Sequence, residues 1–400
     1  MHNIRQINDS YYYIGCSERR LPLFESAYKV PNGMSYNSYI LIDEKTALFD
    51  TVDKSCCGQF MENLDAALGE RTLDYLIVSH MEPDHAALIG IIKNKFPNLK
   101  IVCTKQAENM IKQFFNFDME NSVIVIQEGQ TLSIGKHELT FMTAPMVHWP
   151  EVMVTYDKTD KILFSADAFG NFGAINGNLF DSQIDWENEY LSEARRYYTN
   201  IVGKYGMQVQ NLLKKVSGID IKMICPLHGV IIVENIEKFV QKYNLWSKYE
   251  PEEKSVMFVY SSVYGNTENT VNILASKVAD LGVKNIKIFD VSFYDNSEIL
   301  SNIFKYSTVV FATTTYNMDI FESMKHFIDV LTSHNIQNRT FGLIQNGSWA
   351  PNCISAFKKQ FECLKNIKFI EPELTVKSTL KENQNIEIEN MAKALAESLK

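Results

Sequence analysis

The hexapeptide His80-Met-Glu-Pro-Asp-His85 places four metal-competent side chains, His80, Glu82, Asp84 and His85, within six residues. Imidazole nitrogens and carboxylate oxygens together suit first-row transition metals, and there are donors enough for two cations. Alternate positions of an extended loop point the same way, and Pro83 is expected to deny the segment a regular helical start. The competing reading is a solvated polar loop that caps the following helix through Asp84. Ahead of the loop, Asp74-Tyr-Leu-Ile-Val-Ser79 has the length and β-branching of a buried strand, and behind it Ala86 to Ile92 reads as a helix. The donors therefore lie on a strand-to-helix loop that a rigid scaffold can aim at one point.

Three further residues repeat the pattern of an apolar strand followed by a metal-competent group. His148 ends the strand from Glu138 to Met142, between two prolines. Asp167 follows Lys161-Ile-Leu-Phe-Ser165, the second arm of a hairpin whose first arm is Val152 to Tyr156. His228 follows Ile221 to Cys225. Taken singly, His148 and His228 read as structural histidines and Asp167 as a turn residue; taken as a series they read as ligands. The remaining elements fit around them: a hairpin of Asn37 to Ile42 and Ala47 to Phe49, a helix from Gly58 to Leu68, strands at Lys100 to Cys103 and Val123 to Ile126 around a helix near Gln106 to Phe117, and a helical region from Glu187 to Lys215. His2, His137, His326 and His334 fall outside the series and read as surface or structural.

The chain has 400 residues, enough for two or three domains. A formal net charge of −9 argues against a general nucleic-acid surface. The start lacks the basic and apolar regions of a signal peptide, and no apolar run is long enough for a membrane span, so a cytoplasmic location is expected. Seven scattered cysteines with no Cys-x-x-Cys pair suit reduced thiols and exclude a four-cysteine iron or zinc module in this chain.

Tyr243 to Lys254 is polar and contains a proline, and the domain boundary is placed there, giving domains at 1–250 and 254–400. Ser255 to Tyr260 then reads as a buried strand, opening into Ser261, Ser262, Val263, Tyr264, Gly265, Asn266 and Thr267 before a helix. Such a loop is either an anion site, with N–H groups and a helix N-terminus facing a phosphate, or only a well-capped turn. No P-loop lysine follows and no Gly-x-Gly-x-x-Gly is present, which favours a phosphate monoester. Strands at Lys287 to Val291, Thr308 to Ala312, Thr340 to Ile344 and Ile367 to Ile370 alternate with helices, which predicts a doubly wound parallel sheet binding its ligand past the strand ends. Two more loops leave those ends: Thr313, Thr314, Thr315, Tyr316, Asn317 and Met318, then Gln345, Asn346, Gly347, Ser348, Trp349 and Ala350. Tyr316 and Trp349 could lie against a flat ring.

The first half resembles the metallo-β-lactamase superfamily, an αββα sandwich of two sheets with a dinuclear centre at one edge. Hydrolases of that fold place His where this chain has Glu82 and commonly bind zinc; a carboxylate there shifts preference toward iron or manganese. The second half resembles flavodoxin, whose corresponding loops bind FMN. Joined in this order, the halves resemble the flavodiiron proteins (A-type flavoproteins) across essentially the whole chain. The resemblance implies one iron on His80, Glu82 and His148, a second on Asp84, His85 and His228, and Asp167 bridging. It implies FMN on the three loops, and Tyr197 as a pocket tyrosine. The third loop departs from the family's glycine-richer form, and Phe24 or Glu25 stands where some members have a pocket histidine. The implied activity is reduction of O2 to water, of NO to N2O, or both, with electrons from a separate rubredoxin or similar donor through FMN. The implied assembly is a head-to-tail homodimer or a dimer of dimers. The alternatives are a zinc-dependent metallohydrolase with a flavodoxin-like binding module, and an FMN electron shuttle with a vestigial metal site.

Overall fold

The computed structural model describes residues 1–117 and 121–400, and the chain divides into two compact units, Met1–Asn244 and Leu245–Lys400. No helix among the described residues is long and apolar enough to cross a membrane.

The N-terminal unit is a sandwich of two sheets. Tyr39–Ile42 and Thr46–Phe49 form the expected antiparallel hairpin, and Tyr75–Ile77, Lys100–Cys103 and Val123–Val125 add to it in parallel. The second sheet runs Thr131–Ser133, Glu138–Thr143, Met153–Asp157, Ile162–Phe164 and Met223–Cys225. Apolar side chains that alternate along these strands meet between the sheets: Leu41, Phe49, Ile77 and Val102 from one, Leu139, Phe141, Met153 and Phe164 from the other. Phe49 and Phe164 stack with ring centroids 3.9 Å apart. This closure brings the carboxyl ends of strands from both sheets together at one edge.

Two local expectations are corrected there. Pro83 does not prevent a helical start; it occupies the first turn of the helix Pro83–Ala86, where its missing N–H costs nothing. Asp84 lies inside that turn and Glu82 is the capping residue, so only His80 and Glu82 are presented by extended backbone. The expected helix to Ile92 is broken after Ala86 and resumes as Ile89–Lys95. The long helical region of the sequence reading is likewise a succession of turns of different pitch, Trp186–Tyr190, Leu191–Tyr197, Tyr198–Val202 and Gly206–Val216.

The C-terminal unit is the expected doubly wound sheet. Its strands lie side by side in the order Lys287–Asp290, Glu253–Tyr260, Tyr306–Tyr316, Gln337–Asn346, Lys365–Phe369, all parallel. Leu274 and Val278 of the helix Asn266–Asp280 and Met391 and Leu395 of Asn385–Glu397 pack on Phe258, Val310 and Ile344. The expected linker is mostly regular structure: Ile236–Ser247 is helix and Glu253 already begins a strand.

One buried cation fixes the start of the C-terminal unit. Arg339, 2 % exposed, donates to the carbonyls of Ile303 (2.8 Å), Phe304 (2.7 Å), Gln337 (2.9 Å), Asn338 (3.1 Å) and Tyr249 (2.5 Å). Burial lowers its guanidinium to about 9. Arg339→Met leaves the carbonyls of Ile303, Phe304 and Tyr249 buried without this donor. Each such loss costs about 1–3 kcal/mol, so urea unfolding of the full chain should show the C-terminal transition destabilised by on the order of 3 kcal/mol. An unchanged midpoint would show that these carbonyls find other donors.

Candidate functional site

Each member of the ligand series lies just past a strand, where the backbone can turn sharply. Several turns do so at a cost: Asp50, Met146, Ala166 and Phe169 all have φ between +52° and +66°, a region that strains a side-chain-bearing residue and gathers at functional sites. The result is convergence. His80 Nε2, Glu82 Oε2 and His148 Nε2 lie 3.0–3.3 Å from one another, with Asp167 Oδ2 3.0 Å from His148 Nε2 and 3.3 Å from His80 Nε2. Asp84 Oδ2, His85 Nε2 and His228 Nε2 form a second group 3.0–3.2 Å across. Asp167 Oδ1 faces this second group, 3.3 Å from His85 and 3.7 Å from His228. One carboxylate thus addresses both groups, one oxygen to each.

The donor set fits two cations. Atoms spaced 3.0–3.3 Å apart surround a point roughly 2 Å from each, the bond length of first-row metals to nitrogen and oxygen. Both oxygens of Asp84 and Oδ1 of Asp167 are buried without a hydrogen-bond donor among the described residues, an expensive arrangement unless a cation takes their lone pairs. The groups polarise one another strongly. Burial pulls His148 down, but hydrogen bonds to Asp167 and Glu82 outweigh it and hold the ring at about 9. Burial likewise opposes ionisation of Glu82, yet His148 and His80 bring it to about 2. Asp167 is held below the usual carboxylate range against the same burial penalty by His80, His85 and His148.

Supporting groups without a local sequence signal hold these ligands. Asp50 Oδ1 accepts the N–H groups of Ser79 (2.7 Å) and His80 (3.2 Å). Asn37 donates to the carbonyls of Pro226 (2.9 Å) and Gly229 (2.8 Å), bracketing His228. Glu151 Oε1 lies 2.7 Å from His80 Nδ1. Their partners are 29 to 192 residues away in sequence, so no spacing rule could find them.

A cleft of about 590 Å³ opens beside the centre, lined by Pro22, Phe24, Glu25, Tyr36, Glu82 and Asp84 among others. Both candidate residues of the N-terminal loop reach this region. Phe24 stands edge-on to His228 at 5.4 Å between ring centroids, and Glu25, an exposed residue at the cleft, has its carboxyl raised by partial desolvation and by the charge of Glu82. Tyr197 is fully buried, 5.5 Å from the His228 ring, and its hydroxyl has no partner among the described residues. Gly170 makes room for it, since a Cβ there would lie 2.7 Å from the phenol ring. Burial and the charge of Asp167 raise the phenol well above its ordinary value, so it stays a neutral donor. His137, read as structural, is buried with Nδ1 2.6 Å from Asp43 and belongs to a separate hydrogen-bonded group with Tyr11, Asp157 and Asp160.

In the C-terminal unit the three loops meet at one end of the sheet, with corrections. Thr313 to Tyr316 are strand rather than loop, and they fold back on Asp319–Ile320 through a turn at Asn317 and Met318. Asn346 is the last strand residue, leaving Gly347, Ser348 and Trp349 as loop. The hydroxyls of Ser261 and Thr313 pair with each other at 2.7 Å beneath the loops, and Thr315 Oγ1 faces Asn352 and Cys353. These hydroxyls knit strands together. What remains open suits a phosphate and a flat ring. Gly265, at φ +85°, turns the chain into the helix Asn266–Asp280 with no side-chain cap on its first N–H groups. Ser262 Oγ accepts the Gly265 N–H at 3.1 Å, Asn346 reaches Thr267 at 3.3 Å, and the buried Asn346 Oδ1 has no donor among the described residues. Val263, Tyr264, Tyr316 and Trp349 are exposed apolar or aromatic side chains in these same loops, unusual for a surface with no ligand or partner.

Residues 34–229 match the family model of the ODP family beta lactamase. The anaerobic nitric oxide reductase flavorubredoxin of Klebsiella pneumoniae is 30% identical over 84% of this chain and 70% of its own length. The rubredoxin oxygen:oxidoreductase of Desulfovibrio gigas superposes with a TM-score of 0.93 at 26% identity, over 99% of this chain and 98% of that one. The flavodiiron protein of Giardia intestinalis shares the fold, with a TM-score of 0.92 at 23% identity over 100% and 99% of the two chains. With a dinuclear donor set in one unit and a flavodoxin-like strand order in the other, the chain belongs to the flavodiiron proteins, oxidoreductases that carry a non-heme diiron centre and FMN.

Proposed function

We propose that this chain reduces a diatomic gas, O2 to water or NO to N2O, with electrons passed from a rubredoxin through FMN to two irons. The iron pair is assigned to residues 1–250, on His80, Glu82 and His148 and on Asp84, His85 and His228 with Asp167 between them. FMN is assigned to residues 254–400, on Ser261 to Thr267 and on the strand ends and turns Thr313 to Asn317 and Asn346 to Trp349. The observation that carries the reading is the single buried carboxylate, Asp167, with one oxygen toward each of two three-residue groups. The names of two relatives, a nitric oxide reductase and a rubredoxin oxygen:oxidoreductase, supply the substrates and the donor. The active assembly is a head-to-tail homodimer or a pair of such dimers, which places one chain's flavin beside its partner's metals.

Taking O2 to two waters needs four electrons and four protons; coupling two NO to N2O and water needs two of each. Reduced iron and flavin supply the electrons when bound. The chain's own task is to hold the gas between fixed donors, deliver protons and keep bulk water out. Phe24 closes one side of the cleft with an apolar ring, and Tyr197 keeps an unspent O–H beside His228. Tyr197→Phe removes that donor and little else. Iron content should stay at the wild-type value while turnover falls by roughly 10–100-fold; turnover at the wild-type rate would leave the hydroxyl a packing group only.

Metal and flavin analysis followed by gas consumption tests the whole reading. Two irons and one FMN per chain, with O2 or NO consumed on addition of reduced rubredoxin, is the expected result. Zinc without flavin, or no consumption of either gas, overturns it. Full turnover with NADH alone would remove the external donor.

A further inference from the structure

The histidines of the centre differ in what stands behind them. His80 Nδ1 faces a carboxylate, Glu151 Oε1, at 2.7 Å. His228 Nδ1 faces a backbone carbonyl, that of Ser35, at 2.6 Å. His85 Nδ1 is buried with no partner among the described residues. Glu151 is itself fixed: its Oε1 accepts the Met81 N–H at 2.8 Å, and its carbonyl accepts the Thr104 hydroxyl at 2.9 Å. Thr104 also caps the helix Lys105–Phe114, so the carboxylate is tied to a rigid element. Its side chain is fully buried, and Oε2 has no donor among the described residues.

The hydrogen-bond logic fixes the His80 tautomer. Oε1 already accepts from Met81, so it also accepts from the His80 Nδ1–H, and Nε2 is left with its lone pair toward Glu82, His148 and Asp167. A carboxylate behind a ligating imidazole orients the ring and raises the basicity of the other nitrogen; a carbonyl does so less, and an unpartnered nitrogen not at all.

We propose that Glu151 is a positioning residue for His80, and that this contact makes the His80–Glu82–His148 position the more tightly held of two inequivalent metal positions. The inference rests on the dinuclear reading above and adds an order to it: the Asp84–His85–His228 position empties first.

The experiment is anaerobic release of iron from the full-length, FMN-loaded protein to a ferrous chelator. Wild type should release its iron in two phases of equal amplitude. Glu151→Gln keeps an acceptor oxygen for the same two N–H groups and removes the charge, so it should speed the slow phase by about 10–100-fold and leave the fast phase alone. Mössbauer spectra should show two iron environments in wild type, of which one moves in this variant. Glu151→Leu should retain about one iron per chain; if it does not fold, as judged by FMN content and circular dichroism, the Gln variant decides. A single release phase in wild type, or a Gln variant whose slow phase and spectrum are unchanged, overturns the proposal. If the protein holds zinc, the gas-reducing reading fails, but the same release measurement still tests the asymmetry.

Discussion

Asp167→Asn should lower gas turnover by on the order of 100-fold or more while leaving the flavin in place. The carboxylate lies 3.0 Å from His148 Nε2 through one oxygen and 3.3 Å from His85 Nε2 through the other. An amide keeps one oxygen and turns the other corner into an N–H2 donor, which repels a cation and cannot ligate. Whichever way the amide faces, one of the two metal positions loses a ligand. Less than two irons per chain should be retained after dialysis. Because Asp167 is fully buried and its neighbours come from both sheets, the variant needs a folding check, and its FMN content supplies one from the other unit. Two retained irons with wild-type turnover would mean that the carboxylate does not bridge.

The second large effect concerns pH and follows from the charges left when the metals are removed. In the metal-free chain, His148 is held at about 9 against an ordinary value of 6.5, and His80 and His85 are raised as well. A histidine raised by folding contributes stability that is complete below 6.5 and is lost as pH climbs through about 9. Glu82, lowered from 4.5 to about 2, contributes stability that is complete above 4.5 and is lost as pH falls through about 2. The metal-free fold should therefore be held best by this cluster between 4.5 and 6.5, and its thermal midpoint should fall from pH 6.5 to 9.

Metal binding runs the other way, because each cation must displace protons from imidazoles that hold them. Apparent affinity should rise about tenfold per pH unit for each proton displaced, up to about 9 where His148 is neutral without help. Titration of the metal-free chain with ferrous or cobaltous ion between pH 6 and 8, with an indicator dye to count released protons, measures both quantities. An affinity independent of pH over that interval would show that the histidines are already neutral, and that the carboxylates do not raise them.

The ligand series was legible because it obeys a local rule. His80, His148, Asp167 and His228 each follow a short apolar strand, and strand ends are recognisable from alternation and β-branching within a few residues. Alternation of strand and helix after Glu253 announced the parallel sheet for the same reason. Element ends were less legible. Thr313 to Tyr316 read as a polar loop, but Thr313 and Thr314 pair with Gln345 and Asn346, and Thr315 and Tyr316 pair with Ile320 and Asp319, which keeps them in strand, and pairing depends on a neighbour that local composition does not name. Pro83 misled in a similar way, since a proline excluded from a helix interior is welcome in a first turn.

What the amino-acid order determined by itself is the chemistry available: which residues can ligate, that a carboxylate stands at position 82, and that two differently patterned halves follow one another. Tertiary closure decided what that chemistry is made to do. It placed Asp167 between the two groups, put Glu151 behind His80 and Ser35 behind His228, and left His85 and Tyr197 with polar atoms that have no partner among the described residues. Periodicity reports only on residues a few positions apart, whereas the strength of each ligand is set by partners 71 and 193 residues away that meet only when the two sheets close.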